Sequence, residues 1–491
     1  MLEILISFAS FLGVSVAQLS TFLSLLFAGV MIEPILSILK NSNKRKDNNF
    51  AVKDDLKHLL DSDGMRISKN ISISAKNLFE HFLIFGPTGS GKSSSLFIPN
   101  LLDGESFCKG ESSLVITDLK GELYNITNRY QRSLGREIKV FAPFEKNMDT
   151  IHYNPLDFCE DEADVISLAK DVLISGAKAI ELRNGSNNIG GKDSVWLNMA
   201  APLFSSLLLY VYRLPKPKNT ISYALRLLLN NDDESLEKLL LNSNSDIAIL
   251  QYKMYQKASA SGPTTASIQV TLSSNVQAFL TPDIEKVTSY TDFNFKDLRE
   301  KKIALYVIYP PNKAFDLAPI TSIFFSQMFN KCKDFNDEKH LPLFCLYDEF
   351  SNCGQIPLFQ MYSSILRSYK IGLICCLQDK NQLKNIYGES SETIFNNLRN
   401  LCVYGGEKDY ETLKSIQMLC GNREVINVST TKTDKGNSTK TQSFKSQPLM
   451  PADEIKNIKE DEILIMLKNQ RPILDKINSY YKDYQYLSNS L

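Results

Sequence analysis

The sequence predicts an α/β protein with a parallel central sheet, an inserted all-α domain and an N-terminal transmembrane anchor. Three features lead to this prediction. Short apolar runs alternate with helical segments along the chain, as in parallel α/β domains. The long stretch 160–295 has a helical pattern, and residues 4–32 contain no charged side chain.

The apolar N-terminal segment has the composition of a membrane anchor. As a helix it rises about 1.5 Å per residue, which is long for one upright span of a bilayer core about 30 Å thick and short for two spans. One tilted span and a tight hairpin broken near Gln18 are both open. No basic residue precedes the segment, which argues against a cleaved signal peptide. Four basic residues follow between Lys40 and Lys46, so the bulk of the chain is expected in the cytoplasm.

Composition narrows the class of protein. A chain of 491 residues exceeds the size of a single hydrophobic core, so several domains are expected. Lys plus Arg and Asp plus Glu balance at 55 each, so any contact with DNA must be local. The nine Cys form no C-x-x-C pair and the four His have no ligand spacing. Free thiols in a reducing compartment are therefore expected, not disulfides or zinc.

The β-rich runs define the predicted sheet. Six of them are predicted as strands, at residues 82–86, 113–117, 303–308, 343–347, 371–377 and 401–405. Residues 462–474 return to strand-like character. The polar segment 427–447 contains the turn Asp434-Lys435-Gly436 and predicts a mobile hairpin or an exposed loop.

The helical stretch contains one segment, 194–212, that is charge-free and long enough to span a membrane. A span there would place Lys92 and the acidic strand end at Asp348 on opposite sides of the membrane. We therefore predict a buried helix with Trp196 as its core anchor.

A phosphate-binding loop is predicted at residues 86–93. GPTGSGKS matches G-x-x-x-x-G-K-[ST] in full and lies between a strand and a helical run. Glycines let backbone N–H groups close around phosphates, and the helix N-terminus adds a favourable field. Lys92 is expected to reach the β- and γ-phosphates of ATP, and Ser93 to ligate Mg²⁺. The predicted nucleotide-binding residues are Gly86, Pro87, Thr88, Gly89, Ser90, Gly91, Lys92, Ser93 and Ser94.

The strand in LPLFCLYDEF (341–350) ends in two acids. Its carboxyl end is where α/β proteins bind ligands, so Asp348 is predicted to hold Mg²⁺. Glu349 is predicted to polarise the attacking water, which favours an ATPase over a slow switch. The gap from Lys92 to Asp348, 348 − 92 = 256 positions, is accounted for by the helical insertion.

Three further groups are candidates with open alternatives. Gln378 follows strand 371–377 and either positions the γ-phosphate or caps the next helix. Arg367 either enters a neighbouring subunit's ATP site as an arginine finger or forms a local salt bridge, and Lys370 competes for the finger role. Asp118, with Lys120 and Glu122, either tunes the phosphate site or caps a turn.

The order of motifs resembles the TraG-like type IV secretion coupling proteins, the membrane ATPases of conjugation, which are related to the FtsK/HerA motors. The likeness spans roughly residues 80–475. It rests on six motifs: GPTGSGKS, TDLKGELY, HYNPLDF, LYDEFSNCGQIP, LQDKNQLKNIYGE and PLMPADEI. Leu119 stands where the family often has Pro. The apolar N-terminal segment is shorter than the usual two-helix anchor, so the number of spans is open.

The resemblance implies a RecA-like P-loop NTPase that works as a homohexamer with ATP and Mg²⁺ at the inner (plasma) membrane. Its partners would be membrane lipid, relaxase-bound DNA or effector proteins, and the type IV secretion channel. By position, Lys92 and Ser93 match Walker A, and Asp348 and Glu349 match Walker B. Gln378 matches the sensor glutamine and Arg367 the arginine finger.

These inferences divide the chain and leave three functions to compare. A coupling ATPase for DNA and protein is favoured over a translocase for effector proteins only. A nucleotide-regulated receptor or scaffold is the third, and Glu349 argues against it.

The predicted segments are the transmembrane anchor (1–39), a juxtamembrane linker (40–70), the first part of the nucleotide-binding domain (71–159), the all-α domain (160–295), and the second part of the nucleotide-binding domain with a C-terminal strand (296–491).

Overall fold

The structure is a computed structural model that describes residues 50–51, 53–185, 192–259, 261–335, 339–432 and 438–490. These residues fall into two compact units, one made of 50–420 with 450–490 and the other of 421–449. The predicted transmembrane anchor (1–39) and the predicted linker up to residue 49 lie outside the described residues.

A large mixed sheet organises the first unit. Within the described residues it has nine strands in the order β13-β12-β9-β3-β8-β7-β4-β6-β5, and the seven from β9 to β5 are parallel. β12 and β13 extend it antiparallel beyond β9. The strands of the chain are β1 (Leu60–Arg66), β2 (Ser72–Ile73), β3 (Phe82–Phe85), β4 (Ser113–Asp118), β5 (Glu137–Phe141), β6 (Ile303–Ile308), β7 (Leu343–Tyr347), β8 (Ile371–Leu377), β9 (Asn400–Tyr404), β10 (Asn422–Lys432), β11 (Ser438–Pro448), β12 (Glu462–Met466) and β13 (Ile473–Lys476).

The six predicted strands are confirmed, with ends that differ by at most one residue. Residues 462–474 were expected as one strand, but they divide between β12 and β13, which pair with each other. β5 was not predicted because Glu137 and Lys139 interrupt its apolar pattern, as an edge strand permits. The described part of the predicted linker contains β1, whose Met65 is fully buried.

Helices cover both faces of this sheet. On one face, Tyr124 packs edge-on against Tyr306 of β6, with ring centroids 5.3 Å apart. On the other, Phe325 packs against Tyr347 of β7 at 5.1 Å. The helices of eight or more residues are α1 (Glu122–Ser133), α2 (Glu162–Arg183), α3 (Lys192–Tyr212), α4 (Ile221–Asn230), α5 (Asp233–Leu241), α6 (Asp246–Ala258), α7 (Gly262–Val276), α8 (Ala314–Cys332), α9 (Lys380–Tyr387), α10 (Ser390–Asn397) and α11 (Tyr410–Cys420).

Several shorter helices connect these elements. Those with α geometry are Ala75–Leu78, Ile98–Leu101, Pro282–Val287, Asp297–Glu300, Phe359–Ile365, Ala452–Lys456 and Tyr484–Asn489. The short turn Ser106–Lys109 contains Phe107 and Cys108 with positive φ angles of 53° and 63°. Those with 3-10 geometry are Lys53–Leu56, Pro155–Phe158, Gln277–Leu280, Pro311–Lys313, Phe350–Cys353, Leu366–Tyr369 and Tyr480–Lys482. The helix after the predicted phosphate-binding loop begins with a wide π-helical turn, Ser93–Phe97.

The described residues between 160 and 295 form helices and turns with no strand, and they belong to the same compact unit as the sheet. α2 packs on α8, and α3 packs against α2, α6 and α7. The Ser194–Tyr212 part of α3 is long and apolar enough to cross a membrane, but 61% of its most apolar window is buried in the protein. The predicted core anchor was wrong: Trp196 is only half-buried, whereas Leu203 and Phe204 are fully buried.

The second unit is a long antiparallel hairpin. β10 and β11 pair from Asn422–Pro448 at the base to Lys432–Ser438 at the far end. The hairpin form of the prediction for 427–447 is therefore confirmed, and the connecting residues 433–437 lie outside the described ranges.

Sheet register brings three motifs to one edge. β8 lies between β3 and β7, with Phe85 opposite Leu377 and Tyr347 opposite Cys375. Because parallel strands end at the same edge, the residues that directly follow β3, β7 and β8 become neighbours.

Candidate active site

The loop that follows β3 has the backbone of a phosphate-binding loop. Gly89 and Gly91 have positive φ angles of 81° and 89°, which only glycine adopts freely. A Cβ atom on Gly86 would lie 2.6 Å from the Ser90 hydroxyl oxygen. These positions need glycine for the loop to turn tightly before the helix begins at Ser93.

Lys92 is buried beneath this loop, with 7% of its surface exposed. Its Nζ donates to the carbonyl oxygens of Gly86 at 2.5 Å and Pro87 at 3.1 Å. The ammonium group is therefore held inside the curve of the loop, where the charge of a phosphate chain would be met.

Ser93 and Asp348, 255 positions apart, are in direct contact. The Ser93 hydroxyl donates to Asp348 Oδ1 at 2.6 Å. The backbone N–H of Asp348 donates to the Thr117 hydroxyl at 3.1 Å, which fixes the end of β7 against β4. The sheet thus assembles the predicted Mg²⁺ ligands from two distant segments.

Burial raises the pKa of Asp348, and the Ser93 hydroxyl and the Lys92 charge act in the opposite direction. A divalent cation beside these oxygens would favour the ionised carboxylate further. The site therefore carries an acid whose charge is best balanced when a cation is bound.

Glu349 points into a ring of neutral donors. Its Oε1 accepts from Gln378 Nε2 at 3.4 Å, Gln382 Nε2 at 3.5 Å and the Ser351 hydroxyl at 3.2 Å. The structure therefore brings Glu349 and Gln378 together at the edge that holds Lys92, Ser93 and Asp348. The side chain of Gln378 contacts the acid, and it does not cap the next helix, since Asp379 is the N-cap and accepts from Gln382 N at 2.9 Å.

Gln382 is a site residue that the sequence analysis missed. Its Oε1 accepts from the backbone N–H of Gln378 at 2.8 Å and its Nε2 donates to Glu349, so it contacts both residues. A signal was present in the sequence: Asp379-x-x-Gln382 has the spacing of a capping box at the start of α9.

Asp118 caps a turn. Its carboxylate accepts from Tyr124 N at 2.8 Å and from Lys120 N at 3.3 Å, at the start of α1. Burial raises its pKa, and Asp348 lies close enough to raise it further. Lys120 and Glu122 are exposed.

Arg367 lies at the opposite edge of the sheet from the phosphate-binding loop of its own chain. It belongs to the turn Leu366–Tyr369 that precedes β8, whereas Gln378 follows β8, a strand of seven residues and roughly 20 Å. It pairs with Glu80 through contacts of 2.9 and 2.8 Å. Lys370 directly follows this turn, and its backbone carbonyl accepts from Leu343 N at 3.1 Å.

The residues present fit a Mg-nucleotide. The Ser90 hydroxyl, in the loop that curves around the Lys92 ammonium, is buried and has no hydrogen-bond partner among the described residues. Ser93 and Asp348 supply the oxygen ligands that Mg²⁺ prefers. An unpartnered loop hydroxyl, a buried ammonium group and a pair of oxygen ligands match the needs of bound phosphate and its metal ion.

The fold and the site together define the class of RecA-like P-loop NTPase folds. A phosphate-binding loop follows β3 of a parallel sheet, two acids follow β7, and β8 lies between these two strands. A sequence model of the family described as type IV secretory system conjugative DNA transfer matches residues 36–491. The chain belongs to this family, and the resemblance predicted from its motifs is confirmed.

Named relatives agree with this assignment. VirD4 of Rhizobium radiobacter is 23% identical over 416 residues, which cover 82% of this chain and 57% of VirD4. The conjugal transfer protein TraG of Escherichia coli is 25% identical over 420 residues, which cover 76% of this chain and 61% of TraG. The chain thus spans about three fifths of the length of these two relatives.

A solved structure shares the fold. The plasmid coupling protein TrwB in complex with ADP and Mg²⁺ superposes with a TM-score of 0.65 at 15% identity, covering 88% of this chain and 93% of that chain. At this identity the likeness concerns the fold.

Proposed function

We propose that this protein is a membrane-anchored ATPase of type IV secretion that delivers relaxase-bound DNA, protein substrates or both to the secretion channel. The single observation that supports it most is the 2.6 Å contact between Ser93 and Asp348 beside the buried Lys92, within a chain of this family. The complex of TrwB with ADP and Mg²⁺ supports ATP and Mg²⁺ as the ligands.

Each site residue has a distinct proposed role. Residues 86–94 bind the phosphates, with Lys92 on the β- and γ-phosphates. Ser93 and Asp348 hold Mg²⁺, which when bound neutralises phosphate charge. Glu349 accepts the proton of the attacking water, and Gln378 keeps that water and the γ-phosphate in line. Among the described residues, the side chains that hydrogen-bond to the Glu349 carboxylate are neutral donors, which suits its role as a base.

The architecture proposed around this site follows the predicted segments. Residues 1–39 anchor the chain in the inner membrane, residues 40–70 lead to the nucleotide-binding domain, and 160–295 act as the all-α domain. The site is proposed to work in a homohexameric ring, as the resemblance implies. Arg367 lies too far from the P-loop of its own chain to serve it, so it is proposed to serve the P-loop of a neighbouring subunit.

DNA should stimulate ATP hydrolysis by the full chain, and salt should weaken the stimulation steeply. Each contact to a DNA phosphate releases counterions, so the logarithm of the binding constant for DNA falls linearly with the logarithm of the salt concentration. The measurement is steady-state ATPase activity in lipid nanodiscs, with single- or double-stranded DNA, over a range of salt. Lys92→Ala provides the background rate. A rate that neither form of DNA changes at any salt would favour the translocase for effector proteins only.

Arg367→Ala should inactivate hydrolysis alone but regain partial activity when mixed with Lys92→Ala. In a mixed ring, the intact P-loop of an Arg367→Ala subunit can receive Arg367 from a Lys92→Ala neighbour. The measurement is ATPase activity against the mixing ratio. The matched control mixes Glu349→Gln with Lys92→Ala, where no rescue is expected, since both residues serve the same P-loop site. Equal behaviour of the two mixtures would exclude a finger that acts across subunits.

A further inference from the structure

Glu80 is the centre of a charge cluster that the proposed function does not yet use. Its carboxylate contacts Arg367 at 2.9 and 2.8 Å, Arg399 at 3.2 Å and Lys468 at 2.9 Å. Only 7% of the Glu80 side chain is exposed, compared with 49% for Arg367 and 47% for Arg399. One buried acid therefore holds three partly exposed cations.

The sheet places this cluster at a defined edge. Glu80 lies two residues before β3, and Arg399 directly precedes β9. Arg367 comes from the turn before β8, and Lys468 follows β12, which runs antiparallel to β9. Four adjacent strands, in the order β12-β9-β3-β8, thus bring these side chains together at the edge opposite the phosphate-binding loop.

The position of Glu80 is itself well determined. Its carbonyl oxygen accepts from Arg399 N at 3.2 Å, and its N–H donates to the carbonyl of Asn77 at 3.1 Å. The next residue, His81, is buried, and its Nδ1 accepts from Leu373 N at 3.2 Å. Burial and the Arg367 charge lower the pKa of His81 to about 3, so it adds no positive charge. The cluster therefore keeps a net charge of 3 − 1 = +2.

An exposed arginine has many rotamers, and fixing one costs free energy at the moment of reaction. The two contacts to Glu80 occupy one N–H on each terminal nitrogen and leave the other donors of the guanidinium group available. A bidentate carboxylate partner fixes both the position and the plane of such a group. This is the arrangement that a residue donated to another subunit needs, because catalysis depends on geometry set before the substrate reacts.

We propose that Glu80 is a positioning residue: it holds Arg367 in the orientation required by the ATP site of a second copy of this chain. The inference rests on the proposed function, in which Arg367 acts across subunits. Arg399 and Lys468 also contact Glu80, so the cluster keeps a net positive charge although Arg367 is paired. This charge would attract the phosphates of a nucleotide bound to the neighbouring subunit.

The test compares kcat and KM for ATP in the full chain and in Glu80→Gln, Arg367→Ala and the double variant. Glu80→Gln should lower kcat about 10- to 100-fold with KM unchanged, as expected for a misplaced group. Arg367→Ala should lower kcat about 10³-fold. The double variant should match Arg367→Ala alone, because Glu80 acts through Arg367. The matched control is Glu285→Gln, which removes the acid of an exposed pair with Arg226 at 2.7 Å and should leave kcat unchanged.

Three results would overturn the positioning role: a wild-type kcat in Glu80→Gln, a raised kcat, or a further loss when Glu80→Gln is added to Arg367→Ala. If Glu80→Gln does not fold, Glu80→Asp takes its place, since it keeps the charge but has a shorter side chain. Adding Glu80→Asp to Arg367→Ala should then cause no further loss of kcat. A wild-type chain without ATPase activity would contradict the proposed function and this inference together. An active wild type with additive losses would contradict this inference alone.

Discussion

Lys92→Ala should abolish ATP turnover, with a loss of at least about 10³-fold. The Lys92 ammonium is buried and held by two loop carbonyl oxygens, in the curve of the loop proposed to bind phosphates. Preorganised charge in a buried site is worth far more than the same charge in water. The measurement is steady-state phosphate release, with binding of a fluorescent ATP analogue measured in parallel.

Lys120→Ala is the matched control for this experiment. Lys120 follows β4 at the same edge of the sheet but is exposed. Its replacement should leave turnover close to that of the wild type. Turnover that survives in Lys92→Ala would show that the loop does not bind the reacting phosphates, and the proposed function would have to be abandoned.

Glu349→Gln should lower kcat by about 10²- to 10⁴-fold while ATP binding persists. The amide has nearly the shape of the acid and can keep contacts at the Glu349 position, but it cannot accept the proton of the attacking water. Because Lys92, Ser93 and Asp348 are unchanged, the variant should hold ATP unhydrolysed. Single-turnover hydrolysis and retention of radiolabelled ATP after gel filtration measure the two effects separately.

Glu122→Gln is the control for the acid. Glu122 lies at the start of α1, near Asp348 but exposed. Its replacement should change kcat little. A wild-type rate of hydrolysis in Glu349→Gln would refute the assignment of Glu349 as the base. Equal losses of kcat in the two variants would show that the total negative charge at this edge of the sheet matters, and not the Glu349 carboxylate in particular.

Much of the fold was predictable because the signals are local. Apolar runs bounded by turns identified six strands of the sheet, and glycine spacing identified the phosphate-binding loop. The missed strands have weaker local signals: β5 carries charges on an edge, and β1 contains Asp61, Asp63 and Gly64. Their pairing depends on partners elsewhere in the chain, which a local pattern does not contain.

The motif HYNPLDF shows the same limit. It is one of the motifs on which the resemblance rests, but its contacts connect two segments of the chain. Asn154 Oδ1 accepts from Leu156 N at 3.2 Å, and its Nδ2 donates to the carbonyl of Asn219 at 2.9 Å. The side chain thus connects the end of the first sheet segment to the helices that follow, a role visible only once both segments are in place.

By itself, the sequence determined the phosphate-binding loop, the acid pair Asp348-Glu349 and the α/β class, because backbone conformation and strand burial depend on nearby residues. Only the tertiary structure decided which strand ends are neighbours. Strand order brought Ser93 to 2.6 Å from Asp348, set Gln382 against Glu349, and sent Arg367 to the far edge beside Glu80. The physical reason is that pairing between strands is fixed by burial and hydrogen bonding over hundreds of positions, so no short stretch of the chain specifies it.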